Sequence, residues 1–292
     1  MASNLTGHAP SLIASRPGHE PHGLRPRDAT LFHYRVEKQM ADRLRQAPAR
    51  ERRRLYKALS KRIYAIVPDH PYMAEKLNPA MRAAETERQV AIMKRFIGPD
   101  ARCLAIGMDA DAVARIVAGG IGSIHVANVS DDVVVVADAP AGIRDLGTDG
   151  ISIPLPAGSI DIAVSIDTME RLHPDDARTQ IAEIVAALKP GCCYVCLTPN
   201  RLFGPHDISE KIDEEAAGLN LKEYSNGELA ALFRAAGFRK CRALLNYEKT
   251  VFPVLIPLWP VLLYERIVAM LPKSARHYWA SWLMGVKFVG IK

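Results

Sequence analysis

Short apolar runs alternate with helical segments between residues 103 and 200, and this rhythm constrains the fold more than any other feature of the chain. Strands that alternate with helices pair in parallel and form a doubly wound sheet. The strand-like runs are Cys103–Ile106, Ser123–Asn128, Ile160–Ile166 and Cys192–Thr198. Ligands bind at the carboxyl ends of the strands in such sheets, so we expect functional residues directly after each run.

A series of motifs in the same region carries a family resemblance. Ile153–Asp161 reads IPLPAGSID, Met169–Leu172 reads MERL and Leu188–Gly191 reads LKPG. Smaller matching pieces are Thr198–Arg201, Gly204–Asp207, Leu221–Ser225 and Ala236–Phe238. Together they resemble the class I S-adenosylmethionine-dependent methyltransferases. The resemblance implies an α/β fold: a doubly wound, mostly parallel seven-stranded sheet, with N-terminal helices and a helical apolar C-terminal insertion.

The chain outside this core is predicted to be mostly helical. Residues 1–29 are predicted as a disordered tail, 30–98 as a basic helical cap and 99–248 as the methyltransferase-like core. Residues 249–285 are predicted as an apolar aromatic helical segment and 286–292 as a final strand. Helices are expected at 31–47, 50–67, 80–97, 226–236 and 260–271, the last broken at Glu265 and Arg266. Val133–Val136 favours a strand, because its residues are β-branched.

Composition is that of a soluble globular protein, with 49% hydrophobic and 24% charged residues. The N-terminal segment has no apolar stretch like that of a secretory signal, and we expect a cytoplasmic location. The five cysteines fall in or beside predicted strands, which fits a reducing compartment. No metal site is expected, because the closely spaced Cys192, Cys193 and Cys196 would not all face one side of a strand.

Two surface features suggest partners. Residues 35–62 contain eleven lysines and arginines against three acidic residues, a pattern typical of a solvated helix face, an anionic membrane surface or a nucleic-acid interface. Trp259, Tyr264, Tyr278, Trp279 and Trp282 cluster near the C-terminus, where they would pack in the core or touch a membrane interface or an apolar substrate. Proline residues interrupt the apolar stretch Val251–Tyr264, which is too short to span a membrane.

The resemblance assigns cofactor-binding positions in this chain. They are Gly107, Met108, Asp109, Asp111, Asn128, Asp149, Gly150, Ser165, Ile166 and Asp167. Members of the family carry an acidic residue and then three glycines after the first strand, whereas this chain has Ala105, Gly107, Asp109 and Asp111. Asn128 stands where an acid holds the ribose, and Asp149 where a carboxylate meets the adenine amine.

The two aspartates of this loop have more than one interpretation. Asp109 or Asp111 could replace the missing carboxylate and face the cations of the cofactor, or could block its approach. Both could instead serve the following helix, with Asp109 as its N-cap and Asp111 in its first turn.

Three residues are candidates for the catalytic base. His206 and the adjacent Asp207 follow the fifth strand of the implied sheet, and His173 lies near the end of the fourth. An adjacent carboxylate could raise the basicity of the imidazole or orient it. A loop histidine of this kind also commonly bonds only to backbone.

Three functional hypotheses follow. The first is S-adenosylmethionine-dependent O-methylation of a saccharide or lipid-linked small molecule, with possible contact to a membrane surface. The second is a catalytically inactive methyltransferase-like protein that binds a partner or membrane. Nucleic-acid modification ranks third and is considered unlikely, because Ser165–Thr168 lacks the motif typical of enzymes that methylate base amines.

Overall fold

The computed structural model describes residues 26–66, 78–120, 122–129, 141–247, 250–272, 275–276, 279 and 285–292. Residues 1–25 of the predicted tail lie outside this part, and its last residues already belong to the first helix, which begins at Pro26. The strand predicted at Val133–Val136 also lies outside the described residues, as do Tyr278 and Trp282.

One sheet of eight strands organises the molecule, in the order β3-β2-β1-β4-β5-β8-β6-β7. The first five strands in this order are mutually parallel, and β8 lies antiparallel between β5 and β6. The strands are β1 Arg102–Ile106, β2 Ser123–Ala127, β3 Ile143–Asp145, β4 Ile160–Ile166, β5 Leu188–Thr198, β6 Lys240–Tyr247, β7 Thr250–Pro257 and β8 Val286–Ile291. The doubly wound, mostly parallel sheet confirms the fold class expected from the sequence.

The count of seven strands was wrong, because β7 extends the sheet by one. This strand occupies part of the segment that was expected to be helical, and it pairs antiparallel with β6 at the sheet edge. The strand contains Pro253 and Pro257, which an edge strand tolerates because its residues need not all donate a hydrogen bond to a second neighbour. Pro190 and Gly191, which the sequence suggests as a turn before the strand, lie inside β5, where the pairing with β4 shifts in register.

Helices cover both faces of the sheet. They are α1 Pro26–Gln46, α2 Ala49–Ile66, α3 Pro79–Phe96, α4 Ala110–Ala118, α5 Pro174–Ala187, α6 Asn226–Ala236 and α7 Leu258–Ala269. One hydrophobic core joins the sheet to α1, α2, α5, α6 and α7, and a second joins the opposite face to α3 and α4. Helix α6 starts with a capping box, in which Ser225 and Glu228 each accept a backbone N–H from the other; the spacing of these two residues in the sequence predicts it.

Helices α1 and α2 lie over the carboxyl ends of the parallel strands. The hydroxyl of Tyr56 in α2 accepts the N–H of His173 at 2.8 Å, just beyond β4. In α1, Arg45 donates to backbone carbonyls near Asn220. The two helices therefore adjoin the edge at which ligands bind in doubly wound sheets.

Helix α7 continues through Glu265 and Arg266, so the predicted break is wrong. The Glu265 carboxylate is buried at the N-terminus of α6 and accepts the backbone N–H groups of Asn226 at 2.8 Å and Gly227 at 3.2 Å. A buried carboxylate is tolerated here because it satisfies helix-end donors that lack intrahelical partners. Among the described residues, no helix is long and apolar enough to cross a membrane.

Candidate cofactor and methyl-transfer site

The backbone turns sharply after β1 at Gly107, which has a φ of +68°. A Cβ at this position would lie 1.9 Å from the Thr168 hydroxyl oxygen and 2.7 Å from the Ile166 carbonyl oxygen. Only glycine fits this contact, because both the backbone conformation and the space exclude a side chain. The ends of β1 and β4 consequently approach each other closely at the centre of the sheet.

Helix α3 holds the loop that follows Gly107. The Asp109 carboxylate accepts the Thr86 hydroxyl at 2.8 Å, and the Asp109 N–H donates to Gln89 at 2.8 Å. Asp109 occupies the N-cap position of α4, but its side chain makes no capping hydrogen bond. Met108 is fully buried beneath the loop, and Asp111 is exposed and paired with Arg82 at 3.0 Å. Asp109 at the N-cap position and Asp111 in the first turn of α4 are thus where one interpretation placed them, but the side chains of both bind α3.

The end of β2 carries an unsatisfied amide. The side-chain oxygen and nitrogen of Asn128 are both buried, and neither has a hydrogen-bond partner among the described residues. Gly150, with a φ of +70°, packs against the same backbone, where a Cβ would lie 2.4 Å from the Val129 nitrogen. Buried polar groups are almost always satisfied in native proteins, so an amide that has no partner among the described residues at this edge is a candidate contact for a ligand.

Asp149 lies beside this amide and is strongly engaged. One carboxylate oxygen accepts the N–H groups of Ile151 at 2.9 Å and Ser152 at 2.7 Å, and the other faces the Arg53 guanidinium at 3.3 Å. Burial alone would raise the pKa of Asp149, but these donors together lower it. Asp149 is therefore an ionised acceptor at neutral pH, and Arg53 brings α2 to the predicted adenine position.

The three predicted residues at the end of β4 have different environments. Ser165 and Ile166 are buried, and the Ser165 hydroxyl bonds to the Tyr194 hydroxyl at 2.8 Å. Asp167 has a φ of +46°, and its side chain is 56% exposed at the sheet edge. The Arg88 guanidinium of α3 donates to its carboxylate at 3.2 Å. Asp167 alone of the three directs a side chain toward the edge.

His206 is held by Glu223 rather than by the adjacent Asp207. Glu223 accepts the backbone N–H of His206 at 2.7 Å, and its second oxygen lies 3.3 Å from the imidazole Nδ1. Asp207 instead accepts backbone N–H groups from Ser209 and Gly218, both at 2.9 Å. The carboxylate that orients the imidazole thus comes from a position 17 residues later in the chain.

His173 begins α5, and its imidazole Nδ1 accepts the N–H of Asp175 at 3.2 Å. Burial, with a smaller effect of Arg52, lowers the pKa of His173. The imidazole is therefore neutral near pH 7 and already serves as a helix cap. This geometry leaves His206 as the better oriented of the two predicted histidines.

Sequence reasoning missed two titratable groups near Asp167. Glu170 is buried in a 3-10 helix, Met169–Arg171, and accepts the Thr198 hydroxyl at 2.9 Å. Burial and the neighbouring Asp167 raise the pKa of Glu170 to about 8. Burial and Arg88 lower the pKa of Lys287, in β8, to about 8. Glu170 stands inside the MERL motif, which was a usable signal, whereas no local pattern marks Lys287.

Comparison with solved structures identifies the architecture. A methyltransferase from Archaeoglobus fulgidus superposes with a TM-score of 0.51 at 16% identity, over 77% of this chain and 100% of that protein. The fold is that of the class I S-adenosylmethionine-dependent methyltransferases. Phosphoethanolamine N-methyltransferase 2 of Haemonchus contortus, solved with S-adenosylhomocysteine, gives a TM-score of 0.49 at 19% identity, over 70% of this chain and 52% of that enzyme.

Sequence comparison gives a narrower match. A stretch of 117 residues is 26% identical to the mouse tRNA N(3)-cytidine methyltransferase METTL2. The match covers 36% of this chain and 29% of the mouse enzyme. No protein-family model matches the sequence. Fold and motif series therefore agree on the methyltransferase fold, and the activity and the acceptor have to be argued from the site.

Proposed function

We propose that the protein is an S-adenosylmethionine-dependent methyltransferase. The observation that carries this proposal is the Asn128 amide at the end of β2, which has no hydrogen-bond partner in the part of the chain that the structure describes. An amide both donates and accepts hydrogen bonds, as the two hydroxyls of a ribose do. Asn128 can therefore bind the ribose in place of the carboxylate found in the family. Gly150 beside it has no side chain, and a Cβ there would collide with the backbone of Asn128 and Val129.

Each residue of the edge has a role in this proposal. Gly107 lets the methionine part of the cofactor approach the backbone closely. Asn128 holds the ribose, and Asp149 accepts a hydrogen bond from the adenine amine. A carboxylate oxygen has two lone pairs, so the Asp149 oxygen that faces Arg53 at 3.3 Å retains one for the amine. When bound, S-adenosylmethionine supplies a methyl group on a sulfonium sulfur, which needs positioning more than activation.

For the acceptor we propose a hydroxyl of a saccharide or a lipid-linked small molecule. Glu223 holds Nδ1 of His206, which leaves Nε2 to hydrogen-bond to an acceptor hydroxyl and orient it. Helix α7 and its C-cap residue also expose an apolar outer stripe, defined as Trp259, Leu263, Ile267 and the C-cap Met270. These residues are three or four positions apart and share one helix face, which suits contact with a lipid chain or a membrane surface.

Calorimetric titration with S-adenosylhomocysteine tests the cofactor assignment. We expect the wild-type protein to bind with roughly micromolar affinity. Asn128→Ala should weaken binding by about tenfold, because one or two hydrogen bonds to the ribose are lost. Glu183→Ala, an exposed change on α5, is the matched control and should bind as the wild type does. Equal affinities of the Asn128→Ala and wild-type proteins would contradict the ribose assignment.

An RNA acceptor is the second candidate, and the similarity to METTL2 argues against ranking it as unlikely. Exposed arginines of α1 and α2, among them Arg35, Arg50, Arg54 and Arg62, provide cations for phosphate contacts. Binding of unmodified tRNA that weakens steeply with salt, and is reduced by the Arg50→Ala and Arg54→Ala changes, would favour RNA over a saccharide.

A catalytically inactive protein is the remaining alternative. It is supported by the Arg53 contact to Asp149, which occupies part of the adenine position, and by the aspartates in the glycine loop. Failure of the wild-type protein to bind S-adenosylhomocysteine at millimolar concentration would favour this alternative over an enzyme.

A further inference from the structure

The amine of Lys287 lies among charged groups at the edge where β4 and β5 end and the antiparallel β8 begins. Lys287 pairs with Leu197 of β5, whose carbonyl accepts the N–H of Asp167 at 3.0 Å. Three neighbouring strands thus bring Lys287 and Asp167 to the same level of the sheet. Asp167 is one of the cofactor-binding positions that the family resemblance assigns.

Strand alternation places the Lys287 side chain on the α3 face. Val289, two residues later, packs in the hydrophobic core with Val90 and Met93 of α3, whereas Phe288 packs in the core on the opposite face. Residues i and i+2 of a strand share a face, so Lys287 projects toward α3. Arg88 of α3 points toward the same place, because it donates to Asp167.

The surroundings of the amine keep it partly deprotonated. Arg88 donates to both oxygens of Glu85 at 2.7 Å and remains a cation, and burial removes water from the Lys287 amine. Both effects lower the pKa of Lys287, and Asp167 opposes them only in part, so the pKa falls to about 8. A small but useful fraction of the amine is then neutral at neutral pH.

We propose that Lys287 is the proton acceptor of the methyl-transfer reaction, with its amine facing the methyl group of the bound cofactor. The proposal rests on the proposed function. A lone pair of the acceptor oxygen or nitrogen forms the bond to the methyl carbon, and the carbon–sulfur bond breaks with its electron pair left on sulfur. The proton of the acceptor passes to the neutral amine of Lys287, which becomes an ammonium group.

Other described groups at this edge are less suited to the role. Both oxygens of Asp207 accept backbone N–H groups, and Nδ1 of His173 accepts the N–H of Asp175. Arg88 holds Asp167 as an ion pair, and Glu170 is buried against Thr198. Lys287 is the described amine that combines a depressed pKa with a place beside Asp167.

The test compares the affinities of S-adenosylmethionine and S-adenosylhomocysteine for the full chain between about pH 6.5 and about pH 9.5. The first ligand carries a sulfonium charge and the second a neutral sulfur. A protonated Lys287 facing the sulfonium repels only the first, so the preference for it should increase as pH rises through about 8. The change should be about tenfold for each unit by which the sulfonium lowers the Lys287 pKa.

Variants separate the contributions to this pH dependence. Lys287→Met should remove the part due to the lysine, and Lys240→Met, an exposed lysine change at the opposite end of the β6–β8 pair, should leave it unchanged. Glu170→Gln removes the part due to the other group with a pKa near 8. If both ligands bind and the preference of Lys287→Met depends on pH as that of the wild type does, the proposal is overturned. Absence of binding by either ligand instead overturns the proposed function.

Discussion

The Arg52 guanidinium of α2 and the Asp176 carboxylate of α5 form a buried ion pair with two contacts, at 2.5 Å and 3.1 Å. Both side chains are almost fully buried, at 4% and 2% exposure. The hydroxyl of Tyr56 donates to the same carboxylate at 3.0 Å. The pair therefore fixes the helical cap onto the first turn of α5, immediately after the candidate site.

We expect Arg52→Ala to lower the free energy of unfolding by about 3–5 kcal/mol, because it leaves Asp176 buried without its cation. Urea unfolding followed by circular dichroism measures the change. Arg54→Ala, an exposed change two residues away, should alter the free energy by no more than about 0.5 kcal/mol. Equal effects of the two changes would mean that the buried pair adds nothing to stability.

Glu265→Ala should destabilise the protein by about 3 kcal/mol, because it leaves buried N–H groups at the start of α6 unsatisfied. The amide of Asn200 loses the same acceptor, which lies at 2.9 Å. Chemical unfolding gives the loss, and hydrogen exchange should show faster opening of α7. Arg266→Ala on the exposed face serves as the control, and a loss as small as that of the control would show that water replaces the carboxylate.

Gly107→Ala and Gly120→Ala form a matched pair, because both glycines have positive φ. A Cβ at Gly120 meets nothing within 4 Å, so that change should cost only about 1–2 kcal/mol of backbone strain. At Gly107 the collision with Ile166 and Thr168 should add about 1–3 kcal/mol and prevent binding of S-adenosylhomocysteine. If Gly107→Ala bound this ligand with wild-type affinity, the ends of β1 and β4 would not form the site.

The pKa of Glu170 predicts a pH dependence of stability. This carboxyl group has a folded-state pKa near 8 and an unfolded value near 4.5, so between these values the folded protein binds more protons. Its contribution to stability is therefore full below about pH 4.5 and is lost as pH rises toward 8. Unfolding free energies measured over this range should fall less steeply for Glu170→Gln than for the wild type. Parallel curves would indicate that the folded-state carboxyl group ionises normally.

Local patterns predicted the parts of the structure that depend on near neighbours in the chain. The alternation of apolar runs gave β1, β2, β4 and β5, and the capping box gave the start of α6 at Ser225. Strand β7 was missed because its prolines disfavour an interior strand, and only its place at the sheet edge makes them acceptable.

The contacts that build the candidate site join residues distant in sequence. Arg53 and Asp149 are 96 positions apart, and Arg88 and Asp167 are 79 apart. Periodicity and motif spacing carry no information about such pairs, because the pairs arise from how helices pack across the sheet. The same limit concealed Lys287 and the carboxylate of Glu223, and it made Asp207 the expected partner of His206.

The attachment of Asp109 to α3 has a consequence for the energetics of ligand binding. Glycines in a ligand-binding loop leave many backbone conformations to be lost when the ligand arrives. Here Thr86 and Gln89 hold both the side chain and the N–H of Asp109, so this conformational entropy is lost during folding. A loop ordered in advance binds with a smaller entropic penalty and has less freedom to adapt to ligands of a different shape.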